Sequence, residues 1–185
     1  MLDEITAEAR SGMDKAIEAF RHEIGSVRTG RASATLLDGI RVEYYGSQVP
    51  LNQVANVSVP EPRLITIQVF DKTAIPEIEK AILASNLGLT PSNDGNMIRL
   101  AVPQLTEERR RDLVKVVRKM GEDCKVSVRN HRRDANDMLK EAQREGEVPE
   151  DDAKRGQEQV QALTDGRVKS IDEILKVKEE EVMEV

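Results

Sequence analysis

Two histidines, one cysteine and thirty-four carboxylates are the groups with which this 185-residue chain would do acid–base, nucleophilic or metal chemistry. Such chemistry needs convergent sets. His22 falls on the outer face of one helical pattern and His131 on the apolar seam of another, and neither has a His or Cys three or four residues away. Glu150, Asp151 and Asp152 follow Pro149 and read as the acidic first turn of a helix rather than as a metal cluster. Gly25-Ser26-Val27-Arg28-Thr29-Gly30 lacks the lysine and the preceding strand of a phosphate loop, and no Gly-x-Ser-x-Gly occurs. Cys124 has no partner for an internal disulfide and reads as a small buried hydrophobe of a reducing compartment. No catalytic residue, cofactor or metal is expected.

What remains is charge. Leu113, Val117, Met120, Cys124, Val128, His131, Ala135, Met138 and Ala142 recur at steps of three and four. At about 100° per residue they occupy an arc roughly 80° wide, the seam of a packed helix. Arg111, Lys115, Arg118, Lys125, Arg129, Arg132, Arg133 and Lys140 fall in an arc of roughly 100° nearly opposite it. On a chain of net charge −6, such a stripe is either a solvated face balanced by Glu122, Asp134 and Asp137 or a surface that meets an anion. Arg129, Arg132 and Arg133 form a compact ridge, and the arginine fork suits phosphate. With two Phe, two Tyr and no Trp, the chain lacks a base-stacking platform, so a nucleic acid would be held by its phosphates and shape.

The elements that must carry the ridge are legible. The 34% of charged residues and the near absence of aromatics favour long helices. A first helix is expected over residues 2–27, with Ile5, Ala9, Met13, Ala16, Phe20, Ile24 and Val27 on one face, ending at Thr29-Gly30-Arg31. The next stretch holds all but one of the prolines. It reads as a hairpin over 40–50, an alternating strand over 54–59 with Val57 and Val59 on one face, a strong strand over 64–70, a short helix over 76–83, and a turn at 93–96 leading into a strand. Tyr44, Tyr45 and Phe70 are expected in its core or hairpin. Pro103-Gln104 closes it. The long helix opens at Thr106 and stops near Gly146, and a last helix follows Pro149 with Ala153, Val160, Leu163, Ile171, Ile174, Leu175 and Val182 on its seam. Gly156 and Gly166 interrupt that helix at a propensity cost of about 1 kcal/mol each; close packing or mere tolerance would account for them.

The first helix cannot bury its stripe alone. Residues 1–29 and 106–185 are therefore expected to form one discontinuous helical domain, with 30–105 as an inserted module. The two crossings, Thr29-Gly30-Arg31 and Pro103-Gln104-Leu105, are a natural hinge. No apolar run approaches the ~20 residues of a membrane span, and the acidic start is unlike a signal peptide, so a soluble cytoplasmic protein is expected.

Seven segments in register, Val27-Arg28-Thr29-Gly30-Arg31-Ala32, Tyr44-Tyr45-Gly46, Leu51-Asn52-Gln53-Val54-Ala55-Asn56, Val69-Phe70-Asp71, Leu87-Gly88-Leu89, Pro103-Gln104-Leu105-Thr106-Glu107-Glu108-Arg109-Arg110 and Val128-Arg129-Asn130-His131-Arg132-Arg133-Asp134, together resemble the bacterial ribosome recycling factor family over essentially the whole chain. The resemblance implies an α+β fold: an elongated antiparallel three-helix bundle with an inserted small β/α/β domain, L-shaped about a two-strand hinge. It implies a monomer that binds the large ribosomal subunit of the post-termination complex and, with elongation factor G and GTP, splits the ribosome for reuse. By the same likeness Arg132, Arg129, Arg133, Arg28 and Arg31 would face rRNA, with Arg132 ranked first. His131 departs from the family pattern, in which a branched aliphatic residue is usual. The alternative, from another class, is a non-catalytic adaptor: a helical rod with a mobile β module that docks a protein.

Overall fold

The computed structural model describes residues 1–85 and 87–184. The chain forms two compact units, one of Met1–Val27 with everything from Glu108 onward, the other of Arg28–Glu107. Helical N- and C-terminal segments thus flank a central β-rich unit, an α+β architecture.

The first unit holds α1 (Leu2–Gly25), α3 (Glu107–Arg144) and α4 (Glu150–Met183); α2 lies in the second. The 38 residues of α3 make a rod about 57 Å long at 1.5 Å per residue. Its end is a Schellman motif: Gly146 takes φ +77°, its N–H donates to the Gln143 carbonyl at 3.1 Å, and the Glu147 N–H reaches back to Ala142 at 2.9 Å. Glycine is favoured there because a Cβ is strained at that φ. Pro149 then caps α4, whose first turn carries Glu150, Asp151 and Asp152. Contacts fix the directions. Gly12 and Ala16 of α1 meet His131 and Cys124 of α3, and Arg118 and Lys125 of α3 meet Glu179 and Asp172 of α4, so α3 runs antiparallel to both.

The bundle core joins Ile5, Met13, Ile17, Phe20 and Ile24 to Val117, Val128 and Leu139 and to Val160, Ile171 and Leu175. Two seam assignments need correcting. Met138 is 41% exposed and Leu139 fully buried: after Ala135 the inward face advances by four residues rather than three. On α1, Ile17 is buried while Ala16 is only half-buried, and the helix stops at Gly25, short of the expected Val27. The two α4 glycines separate. A Cβ on Gly156 would stand 2.5 Å from Leu2 Cδ1, whereas nothing lies within 4 Å of one on Gly166. Gly156 is close packing and Gly166 tolerance. His131 is half-buried with its ring over Gly12, where a Cβ would stand 2.5 Å from Nδ1. Burial raises the Cys124 thiol pKa, and its Sγ lies 3.6 Å from the Ala16 carbonyl.

The second unit has a hairpin, β1 (Arg41–Tyr44) and β2 (Ser47–Pro50), and an antiparallel sheet of β3 (Ala55–Glu61), β4 (Leu64–Val69), β5 (Pro91–Asn93) and β6 (Met97–Ala101) in the order β3-β4-β6-β5, with α2 (Ile75–Ala84). Ile65, Ile67, Ile98 and Leu100 of the two central strands pack with Ile78 and Ile82 of α2 and Val42 of β1. The β3–β4 register shifts between Ser58 and Glu61, around Pro60, which has no N–H for the ladder. β3 is an edge strand, and of the two valines expected to share a face Val57 is half-buried and Val59 exposed. The short strand β5 carries no alternation that would reveal it in sequence. Phe70, expected in the core or hairpin, is 61% exposed, because it follows β4 rather than belonging to it.

Candidate nucleic-acid interface

The basic stripe of α3 does not behave as one surface. Two of its cations, Arg118 and Lys125, are tied to α4. Arg118 Nε sits 2.7 Å from Glu179 Oε1, and Nη2 reaches Oε2 at 3.5 Å; this bond and the charge behind it raise the guanidinium pKa further. Lys125 Nζ lies 2.6 Å from Asp172 Oδ1 and 3.4 Å from Glu122 Oε1, with its side chain only 14% exposed. Asp172 chiefly holds its ammonium charged. These cations flank the α3–α4 seam, and Glu179, near the C-terminal end of α4, is the partner of one of them.

The C-terminal half is different. Arg129 and Arg133 are exposed and make no hydrogen bond or ion pair among the described residues. Four positions apart on a helix, their Cβ atoms stack roughly 5–6 Å apart. Arg132 lies beside them, half-buried. Its Nη1 donates to Gln161 Oε1 at 3.4 Å, and Gln161 Nε2 donates to Asp165 Oδ1 at 2.8 Å. Gln161 and Asp165 were not legible as partners of the ridge. They lie a whole helix away in sequence, on the polar side of α4, and nothing in their spacing points to Arg132. Lys140, also exposed, extends the ridge by about two turns at 3.6 residues per turn.

Two free guanidinium groups and a third held by an amide present planar N–H forks on one stretch of helix, the donor geometry that matches paired anionic oxygens. Such a fork can donate in a plane to an anionic oxygen pair, and among the described residues no acid pairs with Arg129 or Arg133.

The other two arginines belong to the second unit. Arg28 is exposed, with Nη1 3.6 Å from where a Cβ on Gly88 would stand; Arg31 is also exposed. All six hinge candidates lie just inside this unit, whose limits are Arg28 and Glu107. Gly30 takes φ +76°, and a Cβ on it would meet Leu105 Cγ at 3.1 Å, so the two crossings touch there. Arg63 Nη1 donates to Gln104 Oε1 at 3.1 Å.

Among the described residues no group of three His, Cys, Asp or Glu side chains converges to hold a metal, and no helix is long and apolar enough to cross a membrane.

Comparison with known proteins yields one consistent family. The profile described as Ribosome recycling factor matches residues 20–183. The ribosome-recycling factor of Natranaerobius thermophilus is 56% identical over 181 residues, 98% of each chain, and that of Bacillus subtilis 54% identical over 185 residues, all of both chains. A solution structure of the ribosome recycling factor superposes with a TM-score of 0.82 at 46% identity, covering 100% of this chain and 98% of that one. A T. thermophilus ribosome recycling factor, bound with E. coli elongation factor G to the E. coli post-termination complex, gives a TM-score of 0.68 at 44% identity over the full length of both.

Proposed function

From the premise that the chain belongs to the ribosome recycling factor family, we propose that its grip on the ribosome is the ridge of Arg129, Arg132 and Arg133 on α3, with Arg28 and Arg31 adding contacts from the β-rich unit. The protein is a non-catalytic translation factor. It binds the large subunit of the post-termination complex and, with elongation factor G and GTP, promotes dissociation of the ribosome into subunits for reuse. Its place of action is the cytoplasm.

The observation that supports the ridge is the contrast along one helix: Arg118 and Lys125 are neutralised by α4 acids, while Arg129 and Arg133 are not. Cations left unpaired within the fold keep their full charge for an external polyanion, whose counterions they would displace. The crossings through Gly30 and Leu105 are the proposed hinge. The test is subunit splitting followed by light scattering. Splitting is expected with this protein, elongation factor G and GTP together, and not when either factor is left out. No drop in scattering with all three present would refute the assignment.

A further inference from the structure

The β1–β2 hairpin turns through two residues, Tyr45 and Gly46, between the paired Tyr44 and Ser47. Tyr45 takes φ +48° and Gly46 +78°, the geometry of a type I′ turn, whose first position prefers Asn, Asp or Gly. Tyr45 is the one non-glycine residue with positive φ among the described residues. A bulky side chain there carries backbone strain. Packing does not repay it, because Tyr45 is 82% exposed.

The ring is nevertheless held. Tyr44 and Tyr45 pack as a T-shaped pair, with centroids 4.5 Å apart and planes at 74°. The Tyr44 hydroxyl donates to Asp71 Oδ2 at 3.1 Å. Asp71 is anchored in turn, since its Oδ1 accepts from the Thr73 hydroxyl at 2.7 Å and the Thr73 N–H at 3.0 Å. Thr73 foremost, with smaller help from the tyrosine hydroxyls, keeps this carboxyl below the usual range and therefore ionised.

We propose that Tyr45, backed by Tyr44 and the Asp71 carboxylate, is a docking patch for a lysine or arginine side chain of a protein partner. An exposed aromatic face attracts a cation through its quadrupole, and the carboxylate anchored beside the rings adds an opposite charge. The same carboxylate repels phosphate, which sets the patch apart from a stacking site for RNA. The inference rests on the recycling reading, and the protein to test is elongation factor G, which accompanies the 44%-identical relative on the post-termination complex.

Tyr45→Asn suits the turn and removes the ring; Tyr45→Phe keeps the ring. With Tyr45→Asn, thermal stability is expected to hold or rise, and co-sedimentation with large subunits in the absence of elongation factor G to be unchanged. The elongation factor G concentration for half-maximal splitting should rise about tenfold, the scale of a lost cation–π contact. Tyr45→Phe should behave as wild type. An unchanged elongation factor G dependence for Tyr45→Asn overturns the proposal. So does a loss confined to large-subunit binding, which would mark a site that stacks on RNA. Failure of the wild-type protein to split ribosomes at all would instead count against the recycling assignment.

Discussion

Arg118 and Arg129 are the same residue type on the same helix, three turns apart, and only one is free. The difference comes from what α4 presents opposite each: Glu179 to Arg118, and no acid to Arg129. A phosphate contact made by a free arginine displaces about one counterion, so its loss lowers the slope of log K against log salt by about 1. Arg129→Ala and Arg133→Ala are each expected to do this in large-subunit co-sedimentation from 50 to 300 mM salt, roughly the range over which such contacts are screened. Arg118→Ala should leave the slope unchanged. Equal slopes for all three variants would remove the distinction between the two halves of the stripe.

At the scale of elements, the helices meet closely where glycine permits it. A Cβ on Gly121 of α3 would stand 2.4 Å from Leu175 Cδ1 of α4 and 2.8 Å from Cδ2, in the core, whereas a Cβ on Gly166 would meet nothing within 4 Å. Alanine gains about 1 kcal/mol of helix propensity at either site, but overpacking a filled core costs about 1–3 kcal/mol. Gly166→Ala should therefore raise the urea midpoint and Gly121→Ala lower it. If both variants were stabilised, the α3–α4 approach at Gly121 would be looser than described.

For the molecule as a whole, splitting must use more than a grip, since a ligand shifts an equilibrium only through differential contacts. The crossings through Gly30 and Leu105 are where stiffening would tell. A β-branched residue at φ +76° is strained, and its Cβ would press on Leu105 Cγ at 3.1 Å. Gly30→Val is expected to bind large subunits within about threefold of wild type yet split them at least about tenfold more slowly, the effect of a strain of 1–3 kcal/mol placed on a moving joint. Splitting at the wild-type rate would exclude these crossings as the hinge.

Long-period patterns were readable from residues alone. The helix stripes, the hairpin at 40–50, the strand over 64–70, the Gly146 stop and the ridge of Arg129, Arg132 and Arg133 all follow from local periodicity and turn chemistry, which depend on neighbours within a few positions. Seven motifs in register carried the family. Other features had no local signal because a distant segment sets them. Leu139 rather than Met138 turns inward where α1 and α4 close over it. Gly156 is packed and Gly166 is not, although their propensity cost is the same. Phe70 and Tyr45 stand exposed, against the usual preference of aromatics for a core. Above all, the stripe on α3 reads as uniform along its own helix. Only the packing of α4, with acids opposite Arg118 and Lys125 and an amide opposite Arg132, decides which of these cations are paired within the fold, because whether a charge is neutralised depends on what folds against it.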